Sequence, residues 1–112
     1  MASKKKKYIE LPQVENFIAA QSEDVVAEYR LIVKELEKNG RLEMPFGEKV
    51  SSILFAIRVI QSGNIRVFYV YDDKYKIYGI YGYVKTTKVI PQKEKDHAVK
   101  IIKFLRQKGL II

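Results

Sequence analysis

The sequence predicts an α+β domain: a four-stranded antiparallel sheet with an N-terminal helical hairpin and a C-terminal helix, in the order β-α-α-β-β-β-α. Three observations predict it. Apolar residues recur at helical spacing up to Asn39, β-branched and aromatic residues crowd the stretch from Ile53 to Val84, and helical spacing returns after Pro91. With 112 residues, 47% of them hydrophobic and 30% charged, the chain is long enough for one core and short for two. Residues 1–112 are therefore expected to form one domain, with 1–7 as a flexible basic leader.

The first element is expected to be a short edge strand from Lys7 to Leu11. Pro12 ends it and suits the first turn of a helix running to about Ala20, with Val14, Phe17 and Ile18 facing inward. Ser22 reads as the N-cap of a second helix, because Glu23 and Asp24 follow in the first turn, where negative charge suits the helix dipole. Val25, Val26, Tyr29, Ile32, Val33 and Leu36 form its stripe, and Asn39-Gly40 stops it. Strands follow over Ile53–Ile60, Ile65–Tyr71 and Lys76–Val84, joined by turns at Ser62-Gly63-Asn64 and Asp72-Asp73-Lys74. Pro91 opens the last helix, whose stripe is Ala98, Val99, Ile101, Ile102 and Leu105, and Gly109 ends it.

Composition removes several chemistries. Zero cysteines exclude disulfides, a thiolate nucleophile and thiolate-bound zinc or iron–sulfur centres, and the single histidine, His97, excludes an imidazole-rich metal cluster. No cofactor or metal is expected. No apolar run approaches the roughly 20 residues of a membrane span, and nothing apolar follows Lys4–Lys7 as in a signal peptide, so a cytoplasmic protein with no membrane partner is expected. A glycine-rich phosphate loop, a Ser-His-Asp set, HExxH and paired CxxC are absent, and Gly79 and Gly82 read as positions of close backbone packing.

Charge is segregated. Residues 1–40 hold seven basic and seven acidic side chains, so the net charge of +8 resides beyond Gly40, where 14 basic residues face six acidic ones. No acid occurs from Lys49 to Tyr71 or from Lys74 to Lys93, which suits a polyanion partner, although a lysine-rich surface also serves solubility. Arg58 and Arg66 stand out because isoleucine and valine flank both. Such arginines can simply pack their stems on an open sheet face. A three-residue turn around Gly63 makes opposed positions sum to 126 and puts both arginines on one face. A two-residue turn at Asp73-Lys74 makes the next pair sum to 147, setting Arg66 against Tyr81 and bringing Tyr83 and Lys85 to the same face.

The expected site is thus Arg66, Arg58 and Lys85 as a cradle for phosphate, extended by Lys88 and Lys49. Six of the eight tyrosines lie between Tyr69 and Tyr83, and Tyr81 and Tyr83 are the candidates for stacking on RNA bases. Cross-strand aromatic packing is the other reason for such tyrosines. His97 reads as a solvated residue on the polar side of the last helix, and Glu94 and Asp96 as acids of its first turns.

Five segments in order resemble the RelE/ParE superfamily of bacterial type II toxins, in particular the HigB-like branch that includes the phage-derived Gp49-like proteins. They are Pro12–Ile18 for the first helix, Met44–Lys49 before the sheet, Leu54–Val59, Ile65–Tyr69, and Tyr83–Pro91. Ala56 departs from the pattern, standing where an acid is frequent. The resemblance implies a RelE-like fold and a toxin that cleaves mRNA on the ribosome without a metal. The 2′-oxygen would attack the adjacent phosphate to leave a 2′,3′-cyclic phosphate. It also implies a cognate antitoxin, HigA-like with a helix-turn-helix. In that reading Arg66 and Arg58 hold the phosphate, and Lys85 or Lys88 assists proton transfer or shields charge. Two alternatives stay open: a ParE-like toxin directed at gyrase, and a non-catalytic RNA- or DNA-binding module.

Overall fold

The computed structural model describes residues 5–73 and 75–111. Its elements are β1 (Lys7–Glu10), α1 (Pro12–Ala19), α2 (Glu23–Asn39), β2 (Gly47–Lys49), β3 (Phe55–Val59), β4 (Ile65–Tyr71), β5 (Lys76–Val84) and α3 (Gln92–Gln107). The α+β class is as the sequence predicts, but the sheet has five strands in the order β1-β5-β4-β3-β2, and it is mixed because β1 runs parallel to β5. The additional strand, β2, falls in the segment expected to precede the sheet. Three residues are too few to display an alternating pattern, and the close packing of Gly47 on Leu42, where a Cβ would collide, is visible only in three dimensions. Within the expected leader, Met1–Lys4 lie outside the described residues. Lys6 is tied by its N–H to Glu37 O (2.9 Å), and Lys7 pairs with Lys76.

The helical hairpin forms for the reasons its sequence supplies. Pro12 occupies the first turn of α1, the Ser22 hydroxyl accepts from the Val25 N–H (3.3 Å), and Gly40 takes φ 75° to close α2. Val14 and Ile18 with Val25, Tyr29, Ile32, Val33 and Leu36 cover Ile57, Val59, Val67 and Tyr69 on one sheet face. Phe17 packs against Gly82, where a Cβ would meet its ring. The buried Tyr29 hydroxyl donates to Glu10 (2.6 Å) and is joined to the Tyr8 hydroxyl (2.8 Å), so β1 is fastened to α2 by side chains as well as to β5 by its backbone. Burial raises the pKa of both tyrosines, which keeps them neutral.

The opposite face carries α3, whose Ala98, Ile102 and Leu105 pack on Ala56, Phe68, Val70 and Ile80. Val99, expected in that stripe, is exposed. The registers differ from those expected while preserving the side-chain faces. Arg58 pairs with Arg66 itself, so opposed positions sum to 124, because strand pairing ends at Val59 and five residues form the turn. The β4–β5 turn is not a two-residue turn: Asp72 N–H still bonds Lys76 O (3.0 Å), and Lys74 lies outside the described residues. Arg66 pairs with Tyr83 rather than Tyr81, and a β-bulge between Phe68 and Tyr69 shifts the register in between.

Why pairing stops at Val59 is explained by Glu28 on α2. Its carboxylate accepts the N–H groups of Ile60 (3.0 Å), Gln61 (3.1 Å) and Ser62 (2.7 Å) and the Ser62 hydroxyl (2.6 Å), so Ile60 is taken out of the ladder. Burial alone would raise the pKa of Glu28, but these hydrogen bonds together hold it below the usual carboxylate value. A folded-state pKa below the unfolded one adds stability at neutral pH that is lost as pH falls through the folded value. The stability advantage of the wild type over Glu28→Gln should therefore shrink as a thermal-unfolding series is carried from neutral to acid pH. An advantage independent of pH would contradict this role.

Candidate functional site

β3 and β4 place two guanidinium groups directly opposite each other, since Arg58 and Arg66 are cross-strand partners. Like charges in that position destabilise a sheet. Arg66 is only 3% exposed and is the buried charged residue of the described core. Its Nη1 donates to Asn64 Oδ1 (3.0 Å) and Ile65 O (3.2 Å). Arg58 donates from Nη1 to Pro45 O (2.9 Å). The Nε–H of each arginine is buried and has no hydrogen-bond acceptor. Glu48 of β2 approaches both with one oxygen, 3.6 Å from Arg58 Nε and 3.8 Å from Arg66 Nε, too far for hydrogen bonds. Burial, and after it the neighbouring Arg58, pull the Arg66 pKa down, while Glu48 and Tyr83 act the other way.

These side chains line a cleft of about 310 Å³ at the end of the face that α3 leaves uncovered. Lys85, Lys88 and Lys49 line it too, so the cations expected at the site come together, and Lys95 of α3 joins them. Lys85 is fixed at both ends: its N–H bonds Asn64 O (2.8 Å), and its Nζ donates to Thr87 O (2.6 Å) and Lys88 O (2.9 Å). Asn64 Nδ2 also donates to Lys85 O (2.7 Å), so this one side chain aligns Arg66 with Lys85. Among the described residues no three His, Cys, Asp or Glu side chains gather as a metal-binding group. Nor is any described helix long and apolar enough to cross a membrane.

The phage-derived protein Gp49-like family (DUF891) matches residues 16–103. The chain belongs to the Gp49-like family. That family lies within the RelE superfamily of toxin–antitoxin toxins, so membership makes this a toxin with a cognate antitoxin and points towards nuclease activity. No curated protein matches the chain. The Gp49-like stretch runs from Asn16 in α1 to Lys103 in α3 and takes in every residue of the cleft.

In this Gp49-like protein the tyrosines proposed for base stacking stand apart from the cleft lining. Tyr83 is 6% exposed, packed on Phe68 (centroids 5.5 Å apart) and stacked with Tyr81 (6.1 Å). Its hydroxyl is buried without a hydrogen-bond partner, and burial pushes its pKa up to about 12 against the opposing pull of Arg66. Tyr81 donates to Glu94 (3.0 Å), which stands in the first turn of α3 as expected, and lies against the ring of His97 (4.5 Å), which is exposed as expected. Two residues escaped the sequence reading. Glu48 sits just outside the acid-free stretch, in the segment expected to precede the sheet. In β2 it pairs with Ala56, so the Gp49-like sheet carries a carboxylate beside the position where the resemblance leads one to expect an acid. Asn64 was read as turn chemistry alone; a short polar residue two positions before a buried arginine was the available signal.

Proposed function

We propose that this toxin is a HigB-like, metal-independent and ribosome-dependent mRNA endoribonuclease that inhibits translation in the cytoplasm. The observation that carries the reading is the pair of opposed arginines whose Nε–H groups are buried and unspent. Two like charges held together at a cost to the sheet, lining a cleft and only loosely ion-paired with Glu48, favour an anion that bridges them. In the proposed reaction Arg66 and Arg58 hold the scissile phosphate and stabilise the charge that develops on it as the ribose 2′-oxygen attacks. Lys85, held in place by two carbonyls, supplies positive charge or a proton at the leaving 5′-oxygen; Lys88 and Lys49 steer the flanking phosphates. The cation-rich lining suits charge stabilisation by side chains. A HigA-like antitoxin with a helix-turn-helix is the proposed partner that holds the toxin inactive.

Primer extension on a message translated in a purified system tests this. Stops within the reading frame should appear with the wild type, require ribosomes, and survive addition of EDTA to a level at which the ribosomes are shown to remain intact. Intact message with inhibited gyrase would favour a ParE-like toxin, and salt-sensitive RNA binding without stops a binding module. Loss of cleavage on chelation would overturn the metal-independent mechanism.

A further inference from the structure

We propose that Glu48 is the general base that takes the proton from the attacking 2′-hydroxyl. The assignment rests on the endoribonuclease reading and supplies the group that reading lacks. Attack by a 2′-oxygen requires an acceptor for its proton within hydrogen-bond reach. Arginine offers no lone pair, and a lysine ammonium must first lose its own proton. Among the residues lining the cleft, Glu48 is the one carboxylate, and no histidine lines it. His97, the one imidazole of the chain, lies instead against Tyr81. The Tyr83 hydroxyl, buried and neutral, is a donor.

Placement supports the chemistry. Glu48 pairs with Ala56, two residues from Arg58 on β3, so it projects from the same sheet face as both arginines. Across from it Ala56 offers only a methyl group, with no polar side-chain atom to hold the carboxylate. Its oxygens accept no hydrogen bond from the described residues, and its ion-pair contacts at 3.6 and 3.8 Å leave lone pairs open to a substrate hydroxyl. The side chain is 32% exposed, so it sits at the mouth of the cleft while Arg66 lies at its floor. A phosphate gripped by the two guanidinium groups brings its neighbouring ribose to that mouth, with the 2′-oxygen about 3–3.5 Å from phosphorus in an attack geometry.

The step balances without a cofactor. The O2′–H proton passes to a Glu48 oxygen as the O2′–P bond forms. The P–O5′ bond breaks, and the leaving oxygen takes a proton from Lys85 or water. The products are a 2′,3′-cyclic phosphate and a 5′-hydroxyl, and no atom changes oxidation state.

Single-turnover cleavage on programmed ribosomes, followed across pH for wild type, Glu48→Gln and Arg66→Ala, tests the assignment. Binding to ribosomes carrying a 2′-O-methyl message, which cannot react, is measured alongside. Glu48→Gln should cleave on the order of 10²–10⁴ more slowly, the contribution of a positioned base, while binding the unreactive message as well as the wild type or better. The wild-type rate should fall towards acid pH, and Glu48→Gln should lack that limb. Cleavage by Glu48→Gln at close to the wild-type rate, or a defect wholly accounted for by lost binding, would overturn the assignment. If Glu48→Gln does not fold, Glu48→Asp decides: a slower rate with the acid limb retained supports a base, and wild-type kinetics overturn it. Failure of the wild type itself to cleave would fell the endoribonuclease reading and this inference together. Loss of activity in Arg66→Ala but not in Glu48→Gln would fell only the base.

Discussion

Replacing Arg66 with lysine should lower mRNA cleavage on the order of 10²–10³-fold, the usual effect of removing one preorganised charge contact at a reacting centre. The charge is conserved in that variant, so the loss measures geometry. Arg66 is clamped by Asn64 and the backbone of Ile65 through one terminal nitrogen, while its Nε–H has no hydrogen-bond acceptor. A lysine places a single ammonium on a flexible stem, cannot bind two phosphate oxygens in a plane, and competes for the same Asn64 acceptor. Rates from the translated-message assay, with thermal unfolding of the same preparation to show that the fold survives, are the measurement. Full cleavage by Arg66→Lys would mean that bidentate phosphate binding is not how the cleft works.

The largest loss of stability is expected from Phe68→Ala, about 3–5 kcal/mol by the usual cost of truncating a buried aromatic. Phe68 is fully buried, neighbours Ala56 across the ladder, and lies within ring-contact distance of Tyr81 and Tyr83. It is the centre of the face on which α3 rests, so no single neighbour can collapse into the space it leaves. Against a total of about 5–15 kcal/mol for a small domain, denaturant unfolding should show the change as a large drop in midpoint. A cost near that of a surface substitution would mean that α3 does not seal this face.

The helices were legible in the sequence almost to the residue, because caps and stops are local: Ser22, Gly40 and Pro12 act within one turn of where they stand. Side-chain faces were legible too, though for β5 by compensation. The turn after β4 changes the parity assumed for it, and the bulge between Phe68 and Tyr69 changes it back, so Tyr83 reaches the Arg66 face despite two departures from the expected pairing. A bulge depends on how two strands twist together and leaves no mark in either strand alone. The same holds for the parallel pairing of β1, which depends on residues far along the chain, and for Glu48, whose role follows from lying beside Ala56. Local rules predict elements; which charged groups meet across the sheet is a long-range property. The lysines of the cleft were foreseeable from charge segregation, whereas the depth at which Arg66 lies was not.

The parallel union of β1 with β5 also bears on the order in which the toxin is made. The strand that β1 joins begins only at Lys76, so β1 must wait until everything from α1 to β4 has been synthesised before its partner exists. The helical hairpin can form meanwhile from local contacts, while the long-range pairing comes last. Lys85 follows directly on β5, so the cleft gains this cation only once the strand that β1 pairs with has been made. A chain truncated before β5 would keep Arg58 and Arg66 but lack both the strand that β1 pairs with and Lys85 of the cleft.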